Sequence, residues 1–94
     1  MFDVKYSNQA TKFLKKADKI LIKRLINKIE ELRVEPILRE TIIVEGYKEK
    51  TYRVRVGDYR ILYEVDYKLN KIGIIKIDKR SKVYKWIYNR IRMD

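Results

Sequence analysis

The stretch that decides the fold is YRVRVGDYRILYEV, residues 52–65. Apolar and basic side chains alternate in its first half, and a second alternating run begins directly after Gly57-Asp58. Alternation with a period of two predicts a half-buried strand. A glycine at the first position of a two-residue loop supplies the positive φ that a type II′ turn requires. The stretch therefore predicts a β-hairpin that turns at Gly57 and Asp58.

Upstream of the hairpin the pattern changes from strand to helix. Residues 2–6 alternate and predict a strand, after which Ser7 is a candidate helix N-cap. Apolar residues recur at helical spacing over residues 8–33, which predicts two helices, or one helix broken near Ala17-Asp18. Pro36 ends the helical stretch. Residues 37–50 are ambiguous, with a short strand possible at residues 41–44.

Downstream, the sequence predicts a turn at residues 67–71, a strand at residues 73–77 and a short basic helix at residues 81–92. This order predicts an α+β fold. An N-terminal strand and a helical hairpin pack on a small antiparallel twisted sheet, with a short C-terminal helix. At this length, residues 1–94 are expected to form a single domain.

The composition excludes several kinds of site. The 94 residues contain no Cys and no His, so disulfides, zinc fingers, iron–sulfur sites and a Ser-His-Asp triad are excluded. A carboxylate-only metal site would be opposed by the net charge of +11. No apolar run approaches the ~20 residues of a membrane span, and no signal-peptide core follows Met1, so a cytoplasmic protein with no membrane partner is expected.

The positive charge is concentrated in the second half of the chain. Residues 1–47 hold 10 basic and 7 acidic side chains, whereas residues 48–94 hold 14 basic and 6 acidic ones. The net charges are therefore +3 and +8. Such asymmetry favours a polyanionic partner that meets the second half, which is nucleic acid, a ribonucleoprotein or an acidic protein. The alternative is a solvated, solubilising surface.

Side-chain parity along the predicted strands separates two faces of the sheet. If Tyr52, Val54 and Val56 pack on the helices, the intervening arginines point to the other face. The same parity places Ile75 and Ile77 inward and Ile74 outward. The basic residues predicted to lie on the outer face are Arg53, Arg55, Arg60, Lys76 and, by extension, Arg80. Leu62 and Ile74 would share this face, so we expect the C-terminal helix or a partner to cover part of it.

Residues 52–65 also resemble the most recognisable segment of the RelE/ParE superfamily of toxin–antitoxin toxins. Residues 77–84, IDKRSKVY, are similar to the late strand of that family, which ends in a basic residue. The resemblance implies two possible activities. RelE-like toxins cut mRNA in the ribosomal A site and leave 2′,3′-cyclic phosphate and 5′-hydroxyl ends, whereas ParE-like toxins poison DNA gyrase. Both kinds are held inactive by a cognate, usually acidic, antitoxin.

The RelE-like branch is favoured because three residues match its nuclease pattern. The resemblance implies catalytic roles for Arg60, Arg80 and Tyr84, with no metal or other cofactor. It implies RNA binding by Lys48, Lys50, Arg53 and Arg55.

Arg53 and Arg55 stand where well-studied RelE members carry lysine. Arginine stays protonated, so it cannot act as a general base. The base is therefore left open among Lys48, Lys50 and Tyr84.

The resulting hypothesis is a toxin that acts as a ribosome-dependent mRNA endoribonuclease, with a RelB-like acidic antitoxin, the ribosome and mRNA as partners. The alternatives are a ParE-like gyrase inhibitor without nuclease activity and a non-catalytic module that binds RNA or ribosomes.

Overall fold

A computed structural model describes residues 1–46 and 50–92, with side chains described as far as residue 90. The chain forms an α+β fold, as predicted. Its elements in chain order are β1 (Asp3–Tyr6), α1 (Asn8–Lys16), α2 (Lys19–Val34), β2 (Ile42–Val44), β3 (Thr51–Val56), β4 (Tyr59–Asp66), β5 (Lys71–Lys79) and α3 (Arg80–Arg92). Within the described residues, no helix is long and apolar enough to cross a membrane.

The five strands form one sheet in the order β1-β5-β4-β3-β2. The strands from β2 to β5 pair with antiparallel neighbours, as the meander predicts. The N-terminal strand β1 joins the other edge in parallel with β5. Parallel pairing requires a long connection, and the two helices with the intervening strands supply it.

Two N-caps explain why the helical segment is divided. Ser7 Oγ accepts from the Ala10 backbone N–H at 3.1 Å and donates to the Ile75 carbonyl at 2.6 Å. Asp18 Oδ1 accepts from the Leu21 N–H at 2.9 Å and opens α2. Because each cap residue has extended backbone geometry, α1 must end before α2 begins. The Ser7 cap and the break near Ala17-Asp18 are confirmed.

The hairpin also forms as predicted. Val56 pairs with Tyr59, so the loop consists of Gly57 and Asp58. Gly57 has a φ of +59°, whereas Asp58 is not among the described residues with positive φ, as a type II′ turn requires.

The helix-facing side of the sheet carries the main core. Leu25, Ile29 and Leu32 of α2 pack with Val54 of β3 and Ile61 of β4, and all five are at most 1% exposed. Tyr52 and Val56 join this core, which confirms the inward parity predicted for β3.

The parity predicted for β5 is wrong at Ile74 and Ile75, because a β-bulge shifts the register. Leu62 pairs with Lys76, but the next residue, Tyr63, pairs with Ile74, so Ile75 is the extra residue. An extra residue reverses the side-chain faces beyond it. Ile74 therefore lies in the main core, while Ile75 packs on the opposite side. Ile77 packs in the main core, as predicted.

A second, smaller core lies on the opposite face of the sheet. Val83 of α3 packs with Leu62 of β4 and Val44 of β2, and Leu62 and Val83 have no exposed surface. This confirms the expectation that the C-terminal helix covers part of the face. It also fixes α3 so that its first turns lie beside the hairpin.

Candidate functional site

Four arginines and one tyrosine converge in a cleft beside the hairpin. The cleft has a volume of about 440 Å³. We call it the arginine cleft. Its described lining residues are Arg53 and Arg55 of β3, Arg60 of β4, Arg80 and Tyr84 of α3, together with Glu40, Ile42, Gly57 and Asp58.

The hairpin backbone orients two of the arginines. Arg55 Nε donates to the Gly57 carbonyl at 3.1 Å. Arg60 Nη1 donates to the same carbonyl at 3.0 Å and to the Tyr59 carbonyl at 2.8 Å. These acceptors are neutral, so they orient the guanidinium groups without cancelling their charge. Fixed cations of this kind stabilise negative charge that develops on a bound phosphate.

The third arginine is fixed at the junction between sheet and helix. Arg80 is the first residue of α3, and its backbone N–H donates to the Asp58 carbonyl at 2.9 Å. One hydrogen bond therefore joins the start of α3 to the hairpin turn. The Arg80 guanidinium lies over the ring of Tyr84, with Cζ 5.2 Å from the ring centroid. Residues four apart share one face of a helix, which explains this contact.

Tyr84 lies between arginines that come from different elements. Arg53 of β3 donates from Nη1 to the phenolic oxygen of Tyr84, and its Cζ lies 4.9 Å from the ring centroid. Hydrogen bonding from Arg80, and then from Arg53 and Arg60, lowers the pKa of Tyr84 to about 8, although partial burial opposes the shift. The phenol is thus mostly protonated at neutral pH, and its ionised form is stabilised by cations.

Lys50, one of the residues assigned to RNA binding, does not line the arginine cleft. Lys50 precedes β3, at the opposite end of that strand from the hairpin, and lines a separate cleft with Lys5 and Lys71. Lys48 lies outside the described residues. The basic residue Lys76 pairs with Asp78 at 3.7 Å and does not line the arginine cleft.

Side-chain alternation along the strands did not predict that the acidic residue Glu40 also lines the cleft. Glu40 reaches it from the loop between α2 and β2, where the sequence has no periodic pattern. Lys28 Nζ lies 2.9 Å from Glu40 Oε2. This hydrogen bond lowers the pKa of Glu40, so the carboxylate is ionised at neutral pH.

Comparison with known proteins agrees with the architecture and the motif. The family model described as the ParE toxin of the type II toxin–antitoxin system parDE matches residues 4–84. A relative from Methanocaldococcus jannaschii that carries the name RelE1 is 33% identical over 86 residues, which cover 89% of this chain and 96% of the relative.

Solved structures of related toxins support the same family assignment and the same fold. The archaeal RelE–RelB complex from Pyrococcus horikoshii OT3 contains a chain that matches with a TM-score of 0.74 and 34% identity, covering 86% of this chain and 97% of that one. The isolated E. coli RelE toxin has a TM-score of 0.73 over 97% of this chain and 99% of that one. At 22% identity it supports the fold alone. The chain therefore belongs to the RelE/ParE superfamily and is a RelE-like toxin of a type II toxin–antitoxin system.

Proposed function

We propose that this toxin is a metal-independent, ribosome-dependent endoribonuclease that cleaves mRNA in the ribosomal A site and so inhibits translation. The observation that carries the proposal is the position of Tyr84, whose phenolic oxygen is held by Arg53 within a cleft that Arg60 and Arg80 also line. A proton-transfer group surrounded by phosphate-binding cations suits cleavage of a phosphodiester. The expected products are 2′,3′-cyclic phosphate and 5′-hydroxyl ends.

The chemistry needs phosphate charge to be stabilised and protons to be moved. In the proposed step, the ribose 2′-oxygen attacks the adjacent phosphorus, and the bond from phosphorus to the 5′-oxygen breaks. Arg60 and Arg80 stabilise the charge that accumulates on the phosphate oxygens, and Arg55 helps to bind the RNA backbone. Tyr84 transfers a proton, since its lowered pKa makes both protonation states accessible near neutral pH.

The ribosome supplies the remaining contribution. The arginine cleft is open and modest in size, so it cannot by itself enclose an mRNA segment. Positioning of the mRNA by the ribosome would convert an open cationic cleft into an aligned active site. Lys50 is proposed to contact RNA away from the cleft. Lys48 is proposed to bind RNA as well, and the toxin is proposed to act in the cytoplasm, where translation takes place.

An acidic, RelB-like antitoxin is the proposed inhibitor. Several solved neighbours are complexes of RelE with RelB, from Pyrococcus horikoshii and Mycobacterium tuberculosis among others. A protein with a net charge of +11 would be complemented by an acidic partner. Binding over the arginine cleft would block phosphate access and neutralise the same cations that perform the chemistry.

A ParE-like inhibitor of DNA gyrase is the second candidate, because the matching family model is described as the ParE toxin. That activity is a protein–protein inhibition and requires no proton-transfer group. The assembled contacts among Arg53, Arg80 and Tyr84 favour the nuclease.

A cell-free translation reaction distinguishes the two candidates. Purified protein is added, and the 5′ ends of the mRNA are mapped. The nuclease proposal expects new 5′ ends within codons at the A site, absent without ribosomes and absent with Y84F. Lys12→Ala on α1, which does not line the arginine cleft, is the matched control and should cut normally. Intact mRNA together with gyrase-dependent DNA breaks would refute the nuclease and support the ParE-like activity.

A further inference from the structure

Cleavage by an attacking 2′-oxygen requires a group that accepts one proton and a group that donates another. The arginines of the cleft cannot accept a proton, because guanidinium stays protonated in proteins. Tyr84 is one titratable group in the cleft, and the carboxylate of Glu40 is another. The two belong to different elements, since Tyr84 comes from α3 and Glu40 from the loop before β2.

Buried and partly buried hydrogen bonds fix the loop that carries Glu40. Tyr63, which has no exposed surface, donates from its hydroxyl to the Pro36 carbonyl at 2.6 Å. The Thr41 hydroxyl therefore donates to Tyr63 Oη, at 3.0 Å. Thr41 Oγ1 accepts from the Leu38 N–H at 3.0 Å, and the Leu38 carbonyl accepts from the Thr41 N–H at 3.0 Å. These hydrogen bonds therefore hold the loop in place and position Glu40.

A lysine then fixes the side chain itself. Lys28 of α2 contacts Glu40 at 2.9 Å and Glu31 at 3.1 Å. Both glutamates pair with the same ammonium group, but only Glu40 lines the arginine cleft. This difference offers a matched pair of variants, since each removes one partner of Lys28 and only one removes a carboxylate from the cleft.

We propose that Glu40 is the general base that takes the proton from the attacking 2′-hydroxyl, and that Tyr84 is the general acid that protonates the leaving 5′-oxygen. The inference rests on the proposed nuclease function. The 2′-oxygen forms the new bond to phosphorus as its proton passes to the Glu40 carboxylate. The bond from phosphorus to the 5′-oxygen breaks, and its electron pair takes the phenolic proton. Glu40 is left as the acid and Tyr84 as the phenolate, and exchange with water restores both.

The charges that face each group support this division of roles. Lys28 from α2 holds Glu40 ionised, ready to accept a proton. Arg80 of α3, Arg53 of β3 and Arg60 of β4 surround Tyr84, whose pKa of about 8 leaves it protonated at neutral pH. These arginines also stabilise the phenolate that donation would leave. Two groups whose environments hold one ionised and the other protonated suit the base and acid roles.

The first experiment compares E40Q with E31Q on ribosomes programmed with an mRNA whose A site is empty. At saturating protein, we expect E40Q to cleave about 10²- to 10⁴-fold more slowly, with the half-saturating concentration unchanged. E31Q should keep the unmodified rate. Asp58→Asn tests the other carboxylate that lines the cleft and should lose less of the rate than E40Q. Equal rates for E40Q and E31Q, or a greater loss in Asp58→Asn than in E40Q, would overturn the assignment.

A second substrate separates the base from the acid. In an mRNA with a bridging 5′-sulfur at the cleavage site, the leaving thiolate needs no protonation. Y84F should therefore recover most of its lost rate on this substrate, whereas E40Q should remain slow. A purely structural effect of either substitution would not respond to the sulfur. Recovery by E40Q, or none by Y84F, would refute the proposed roles. Absence of cleavage by the unmodified protein on the ordinary mRNA would instead refute the nuclease function itself.

Discussion

The ionisation of Tyr84 gives a direct test of the site that needs no ribosome. The pKa of about 8 lies two units below the ordinary value of 10.0. Two units correspond to a ~100-fold larger ionisation constant, so at pH 7 about 10% of Tyr84 is phenolate instead of about 0.1%. Arg80→Met should raise the pKa, because hydrogen bonding from Arg80 is the largest single cause of the shift. Arg53→Met should raise it as well, because Arg53 lowers the pKa both by its hydrogen bond and by its charge.

The assay is the ultraviolet absorbance of tyrosinate as a function of pH. Eight tyrosines contribute, so the titration of Y84F is subtracted to isolate Tyr84. Arg55→Met is the matched control, because Arg55 lines the cleft but is not among the causes of the shift. If the difference curve has no step near pH 8, or if Arg55→Met moves it as far as Arg80→Met, the electrostatic argument for the site is refuted.

The lowered pKa of Tyr84 also makes the stability of the folded protein depend on pH. The pKa of folded Tyr84 lies below its unfolded value, so folding favours the ionised form. The resulting stabilisation is complete above about pH 10 and is lost as the pH falls through about 8. Urea unfolding should therefore show that the difference in stability between the unmodified protein and Y84F grows between pH 7 and pH 10. A difference that shrinks over this range would contradict the assignment.

Four further substitutions test the arginines that are proposed to be catalytic and the packing around them. Arg60→Ala and Arg80→Ala should each abolish growth arrest on expression and leave the circular dichroism spectrum unchanged; arrest by both folded variants would refute the nuclease. Leu62→Ala should lower the free energy of unfolding by about 2–5 kcal/mol in urea titrations, because Leu62 is fully buried in the second core. Tyr63→Phe should cost about 1–3 kcal/mol in the same measurement, since the Pro36 carbonyl loses its donor; a change near zero would show that the loop is held by other contacts.

The parts of the fold that depend on local pattern could be predicted from the sequence. The hairpin follows from the period of residues 52–65 and from the positive φ that Gly57 adopts. The same alternation places Arg53, Arg55 and Arg60 on one face of the sheet. This could be predicted because a two-residue loop fixes the pairing register of the two strands that it joins. The β5 prediction failed at Ile74 and Ile75, since a bulge depends on how two strands fit together.

Other features of the site are set by distance and by tertiary contacts. Lys50 lies five residues from Arg55 along an extended strand, which separates their Cα atoms by about 16 Å and explains why it misses the arginine cleft. The periodic pattern could not reveal Glu40, because the loop that carries it is shaped by hydrogen bonds of Pro36 and Thr41 with Tyr63 on a distant strand. The contact between Arg53 and Tyr84 depends on the docking of α3 through Val83 onto Leu62.

The hairpin turn orients three arginines of the cleft through its backbone and not through its side chains. The Gly57 carbonyl accepts from Arg55 and Arg60, and the Asp58 carbonyl accepts from the backbone of Arg80. Every residue type has this carbonyl, so the amino acid at position 58 can change during evolution without loss of the hydrogen bond. An insertion or deletion in the turn would displace both carbonyls together. Natural variation at this turn should therefore occur by substitution and almost never by a change of length.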